Sequence, residues 1–386
     1  MSNLNLIGLP NWLSLGDEDL FQGFEAGFNE RADVVAAADG TNLAEFWNEI
    51  QRTIELRNQK RTGLLARLSY RVNSAITSVL VPTELSFEDA SEYGQPVGAR
   101  AGATRAFRGY DFRFYDLAFR YTWMFIAEAG RDQLEMQHSL ALEADTKLIL
   151  NKVLKTLFNP INLVGVGDQN EPTTVYKFYN ADGEVPPAVD SYTHTGTHNH
   201  YLTSGAAQIT SANVDALELE LGHHGYTLAN GYTLILWVNK QEADRIRNFK
   251  TTTGAKFDFV PNPALYGGKI WVPTDGKYVG GPTNTVEGEI GTYGSFHIVE
   301  EPSIPAGYTV AIATGGEQNL NNPIGIREHA NPAYRGLKLI PGQRSDYPLL
   351  DSFYRRGFGT GIRHRGAGAV MQITANASYT VPALYA

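Results

Sequence analysis

Aromatic residues recurring at period two constrain this chain more than any other feature. Leu68, Tyr70 and Val72 alternate with Arg67, Ser69 and Arg71; Tyr110, Phe112 and Phe114 alternate with Asp111 and Arg113; Phe119, Tyr121 and Trp123 flank Arg120. Such alternation places the two sets of side chains on opposite faces of a strand. Between the two arms, residues 88–105 (EDASEYGQPVGARAGATR) are rich in glycine and small side chains, the composition of a loop tip. The pattern predicts one hairpin excursion of about sixty residues, 63–122. A two-stranded hairpin is marginal in water by itself. Its apolar face therefore needs cover, and the aromatic content predicts that a neighbouring subunit supplies it.

Helices flank this ribbon. Leu43, Phe46, Trp47, Ile50 and Ile54 recur at helical spacing, with Asn42 and Glu45 set as a capping box, and predict a helix over 43–60. The forty or so residues before it are acidic with sparse apolar anchors (Phe21, Phe24, Phe28), and read as an arm that packs on something else. A longer helix is predicted over 127–158. Met136, Leu140, Ala144 and Leu148 fall four apart, and Leu150, Leu154 and Phe158 continue on an adjoining stripe. Acids lead (Glu128, Asp132, Glu135, Glu143, Asp145) and Lys147, Lys152 and Lys155 follow, matching the helix dipole. Asn159-Pro160 stops it. At about 1.5 Å per residue such a helix is about 45 Å long, a spine.

Residues 161–205 are loop-rich. Helices and strands then alternate: Ser211 caps a short helix ending at Gly222, 230–239 is a buried strand, and 240–249 a helix. Residues 265–272 form another strand, 295–314 two strands about a Pro-Ala-Gly turn, and 361–375 a last strand set. The fold class is α+β.

Composition narrows the function. Of 386 residues, 42% are hydrophobic and 19% charged, which excludes a disordered chain. The absence of cysteine excludes disulfides, thiolate metal sites and a cysteine nucleophile. Apolar runs such as 75–81 are far too short to cross a bilayer, and the N-terminus lacks the basic region of a secretory signal. A soluble chain made in the cytoplasm is the expectation. The net charge of −9 is segregated. Residues 1–50 hold nine acids and one base, 51–71 one acid and six bases, 161–325 seventeen acids and eight bases, and 326–386 three acids and eight bases. Alternating blocks fit subunits docking on one another. A DNA-reading domain would be basic overall.

No active site emerges. His194, His198 and His200 could bind a divalent metal, but they lie in a Gly/Thr loop without the strand–strand–helix unit of a His-Asn-His nuclease, and read as a solvated loop. His223 and His224 follow the Gly222 helix stop, where a basic side chain suits the dipole. GVGDQN (165–170) follows a helix and lacks the third glycine of a dinucleotide fingerprint; GFGTGIRHRG (357–366) opens a strand where a phosphate cradle would open a helix. Glu300 and Glu301 are adjacent on a strand and point to opposite faces. No catalytic residue, cofactor or metal is predicted.

Taken in order, the elements resemble the major capsid proteins of tailed double-stranded-DNA bacteriophages, the Hong Kong 97 type, over about 43–381. The local matches are LILWVNKQEADRIRNFKTTTGAKF (234–257), LYGGKIWVPTD (265–275), VEEPSIPAGYTVAIATG (299–315) and RHRGAGAVMQI (363–373). The resemblance implies an N-terminal arm (1–62) and an extended loop (63–122). A peripheral domain with the spine helix (123–205), an apical domain (206–325) and a return to the peripheral domain (326–386) follow. It implies self-assembly as hexamers and pentamers into an icosahedral shell enclosing double-stranded DNA, without enzymatic activity. Inter-subunit contacts are expected at Phe46, Trp47, Arg67, Arg71, Tyr110, Phe112, Phe114, Arg355, Arg356 and Arg363.

Some family members weld the shell through a lysine of the extended loop and an asparagine of a neighbour. This chain has no lysine between Lys60 and Lys147, so a non-covalent shell is expected. Implied partners are further copies of itself, a portal, packaged DNA bound without sequence preference, and a scaffold, protease or decoration (cement) protein; no membrane is involved. The implied location is the virion, after synthesis in the host bacterial cytoplasm. Two alternatives stand beside this reading: an encapsulin-type nanocompartment shell, and a metal-dependent enzyme using His194, His198 and His200.

Overall fold

The computed structural model describes residues 37–59, 64–82, 103–166, 172–262, 269–272, 277–280, 288–341 and 349–386, with residues 89, 92 and 94. Most of the expected arm, with Phe21, Phe24 and Phe28, and most of the 88–105 tip lie outside the described residues, as do parts of the 165–170 glycine motif and of the 265–272 strand.

The strand Thr233–Val238 (TLILWV) is apolar on both faces, as a strand held between two layers must be. It lies at the centre of a seven-stranded mixed sheet. The order is Tyr201–Thr203, Gly368–Gln372, Tyr308–Thr314, Thr233–Val238, Phe296–Glu300, Glu289–Tyr293 and Val260–Pro261. Leu234, Leu236 and Val238 face the helices Ser211–Gly222 and Lys240–Ile246, packing with Val214, Leu217, Leu221, Ala243 and Ile246. The first of these helices is capped by Thr210 in a capping box with Asn213, one residue before the expected Ser211. Ile235 and Trp237 point the other way, into a core shared with Val153, Leu154, Leu157 and Phe158 of the long helix.

That helix spans Arg131–Phe158 and is preceded by a separate short one, Trp123–Glu128. Its buried stripe is Leu134, His138, Ala141, Asp145, Ile149 and Val153. The stripe expected from hydropathy lies one step round: Met136 and Leu140 are 59% and 56% exposed. The reason is that the inward face contains two polar groups with dedicated partners. His138 Nδ1 meets the Tyr354 hydroxyl, and burial pushes the imidazole down to about 4. Asp145 accepts two hydrogen bonds from the Arg356 guanidinium, one of them at 2.8 Å. Across the helix lies the helix Leu43–Gln59, whose Phe46 and Ile54 pack with Leu134 and Ala141.

A second sheet orders Ser69–Val72, Ile324–Glu328, Leu349–Ile362 and Leu337–Pro341, with Arg113–Thr122 also paired to Leu349–Ile362. This last pairing runs from Leu349 opposite Thr122 to Phe358 opposite Arg113 and corrects the expected sixty-residue hairpin. Period two identifies a strand without naming its partner, and here the aromatic arm finds cover inside its own chain. Phe119 and Tyr121 pack with Phe46, Trp47 and Leu134. The ribbon that pairs with itself is shorter, Ile76–Pro82 with Ala103–Gly109, in register from Ile76 opposite Gly109.

The Asp145–Arg356 pair links helix to sheet with both side chains nearly dry. Asp145→Ala leaves a buried guanidinium unmatched and is expected to cost about 3–5 kcal/mol, while Asp145→Leu combined with Arg356→Met restores most of it. Denaturant unfolding of soluble subunits measures this; an Asp145→Ala midpoint equal to wild type would contradict it.

Candidate assembly surface and a buried histidine cluster

The self-paired ribbon is anchored at its root. Tyr110 is fully buried, and its hydroxyl lies 2.6 Å from the Tyr70 hydroxyl and 2.8 Å from Thr77 Oγ1. Arg108 pairs with Glu184, and Asp111 accepts from Lys152 Nζ of the long helix at 2.6 Å. Further along, the described side chains of one face turn to solvent. Ser78 lies opposite Phe107 and Leu80 opposite Arg105, so these four side chains share one face of the ribbon. All four are exposed, Leu80 by 60% and Phe107 by 63%. Sequence periodicity reached neither Leu80 nor Phe107, because the stronger aromatic alternation lies in Arg113–Thr122, the strand paired to Leu349–Ile362 of the same chain.

The ten residues expected at interfaces divide. Phe46, Tyr110 and Arg356 are buried inside the subunit, against Trp47 and His138, Tyr70, and Asp145 respectively. Trp47 is half-buried, edge-on to His138 at 4.9 Å. Phe112 and Phe114 meet edge to face at 5.1 Å, with Arg327 over the first ring and Arg355 over the second at 4.5 Å. Phe114 keeps 44% of its surface. Arg71 is exposed and donates to the Asn58 carbonyl at 2.7 Å. Arg67 and Arg363 are half-buried, the latter 6.0 Å from the Tyr70 ring.

The 194–200 loop is solvated on one side only: Thr195, Thr197 and Asn199 are exposed, while His194 and His198 are half-buried and His200 is buried. From Asn180 to Asn199 its regular pairing is limited to isolated bridges, Asn180 with Asn199 and Val189 with Tyr192. Its start is held by Arg365, which is fully buried. That guanidinium donates to the carbonyls of Lys177 and Phe178 and to Asn180, Asp182 and Glu184, and lies 4.6 Å from the Tyr179 ring. Its end carries His198 and His200, whose Nε2 atoms lie 2.9 Å apart and each 2.9 Å from His224 Nε2. Glu220 Oε1 lies 3.1 Å from His198 Nε2 and 3.7 Å from His200 Nε2, buried and without a hydrogen-bond partner. The four ligand atoms fall within 4.8 Å of one another. Burial, and next the neighbouring imidazoles, hold His198 and His224 well below the ordinary histidine value; burial also lowers His200. Burial raises Glu220 to about 7.

His194 stands apart from these donors. Its ring stacks on His224 at 4.5 Å while its Nε2 faces the His223 carbonyl at 3.4 Å. His224 turns inward instead of capping a helix end in solvent, and Tyr179 stacks on it at 5.4 Å. Sequence reading missed Glu220 and His224, although a signal was present. Glu220 and His224 are four residues apart across a helix end, and His198-x-His200 puts two rings on one face of an extended segment.

No protein-family model matches the chain, and no curated protein matches it. Among solved structures, it is similar to one from Mycobacterium phage Patience, at 36% identity and a TM-score of 0.70, covering 93% of this chain and 98% of that one. The chain belongs to the Hong Kong 97-type major capsid proteins of tailed bacteriophages. Fainter similarity reaches the mature capsid of bacteriophage PhiM1 (10% identity, TM-score 0.49, 82% of this chain and 88% of that one). The SrpI encapsulin of Synechococcus elongatus is also similar (10% identity, TM-score 0.44, 85% and 97%). As a capsid protein the chain is structural, not enzymatic, and its place is the virion. None of the helices among the described residues is long and apolar enough to cross a membrane.

Proposed function

We propose that this capsid protein assembles as hexamers and pentamers into an icosahedral shell around double-stranded DNA. In this reading the ribbon of one subunit laps over the next, and of the expected arm (1–62) the acidic part ahead of the helix Leu43–Gln59 threads along a neighbour, that helix itself being packed inside the subunit. The observation that carries the reading is the ribbon's uncovered face: Leu80 and Phe107, diagonal on one side of a two-stranded sheet, protrude from a root locked by Tyr110, Arg108 and Asp111. Met124, Met136 and Leu140 add exposed apolar surface beside it in sequence, on the two helices that follow. In this reading the extended loop is the stretch about Ile76–Gly109, and the peripheral and apical units are each built on one of the two sheets. Trp47, Phe112, Phe114, Arg67, Arg71, Arg355 and Arg363 remain the contact residues of this reading. Portal, scaffold, protease or decoration protein, and DNA held without sequence preference, complete the set of partners.

Burying a leucine or phenylalanine is worth about 1.5–3 kcal/mol, and every subunit repeats the contact. Leu80→Ser with Phe107→Ser is therefore expected to leave subunit melting unchanged while raising the concentration needed for assembly by about tenfold or more. Light scattering and electron microscopy across a concentration series read this out; particles forming at the wild-type concentration would contradict it.

The stretch between Lys60 and Lys147 contains no lysine, so the loop has no amine to weld to a neighbour. Boiled, detergent-treated particles should run as one band at the monomer mass. A ladder of multimers would overturn the non-covalent shell.

A further inference from the structure

The histidine cluster contains a conflict that hydrogen bonding does not resolve. The His200 Nδ1 lies 2.6 Å from the Gly368 carbonyl, which can only accept, so the ring proton sits on Nδ1 and Nε2 is a bare lone pair. Three N···N contacts of 2.9 Å link His198, His200 and His224. Neutral His198 and His224 bring at most one proton each to Nε2, and His200 brings none. At least one of the three contacts therefore sets like against like, two lone pairs or two N–H groups. Glu220 Oε1 adds a buried, unpartnered oxygen to the same point. Packing alone does not call for four electron-rich atoms converging in this way; a cation between them does.

We propose that His198, His200, His224 and Glu220 form a structural zinc site that clamps the 180–200 loop to the end of the Ser211–Gly222 helix. Three imidazoles and one carboxylate are borderline donors that suit Zn²⁺ over Mg²⁺ or Ca²⁺, which prefer oxygen shells. Four protein ligands complete a tetrahedral shell and leave no position for substrate, so the site is structural, not hydrolytic. Bonds of about 2.05 Å separate tetrahedral ligands by about 3.3 Å, so the three imidazoles move outward by a few tenths of an ångström to seat the ion, while the Glu220 carboxylate, 3.7 Å from His200 Nε2, closes toward it. The orientation is already set: Gly368 fixes the His200 tautomer, as an outer partner fixes a ligating histidine. The clamp also has a physical purpose. Residues 180–200 have only isolated bridges and a few backbone bonds between their two ends (Ala181 N–H to the His198 carbonyl, Gly183 N–H to Gly196, His200 N–H to Tyr179), and Arg365 pins their beginning; none of these bonds reaches the Ser211–Gly222 helix, which the metal would tie to the His198 end.

Tag-free, full-length protein expressed with added zinc and then desalted is expected to carry about one zinc per chain by elemental analysis. Replacement by Co²⁺ should give the intense visible absorption of a tetrahedral site. His198→Ala combined with His224→Ala should lower bound zinc by about tenfold or more, while His329→Ala, outside the cluster, keeps it. A strong chelator should lower the melting temperature of wild type by several degrees, reversed by zinc. Wild-type protein that carries no zinc and yields no cobalt band overturns the proposal without reference to any variant. Retention of zinc by the double variant overturns it as well.

Discussion

The structure depends on one burial, that of the C-terminal half of the long helix between two sheets. Ile149, Val153, Leu154, Leu157 and Phe158 meet Ile235, Trp237, Val310 and Ile312 of one sheet and Ile324, Ile326, Phe358 and Ile362 of the other. At about 1.5–3 kcal/mol per large apolar side chain, this layer outweighs any polar contact in the chain. It fixes the two sheets relative to each other, and Lys152 on the same helix holds Asp111 at the root of the ribbon. The ribbon's direction is thus set by the core, although Leu80 and Phe107 lie outside that core.

A rigid root with an uncovered apolar face is a geometry for joining copies. In the proposed shell each lapped contact is modest, and many of them closing together favour assembly steeply while leaving single contacts weak enough to reverse. The alternation of acidic and basic blocks along the chain adds register to this hydrophobic attraction. The proposed zinc clamp acts on another scale, within one subunit, where it would firm a loop that has neither strands nor disulfides.

Elements with strong local signals were legible in the sequence. The stripe Phe46, Trp47, Ile50, Ile54 lies on the helix Leu43–Gln59, Asn159-Pro160 ends the long helix at Phe158, and TLILWV is a doubly buried strand. What failed was partnership. Alternation in Arg113–Thr122 showed a strand, yet its partner Leu349–Ile362 lies more than two hundred residues on, and its Phe119 and Tyr121 pack inside the same chain. The inward face of the long helix was misplaced because it carries His138 and Asp145, which hydropathy counts as solvent-facing; only Tyr354 and Arg356, distant in sequence, make that face inward. The histidine cluster was undervalued for the same reason, since Glu220 and His224 join His198 and His200 only after folding.

The claim that the ribbon's exposed face is covered by another copy can be tested directly because the chain has no cysteine. Leu80→Cys carries a single thiol, whose reaction with a maleimide can be compared between dispersed subunits and assembled particles. The account predicts fast labelling of subunits and at least about a tenfold slower rate in particles, as burial of that position requires. Equal rates in the two states would contradict it.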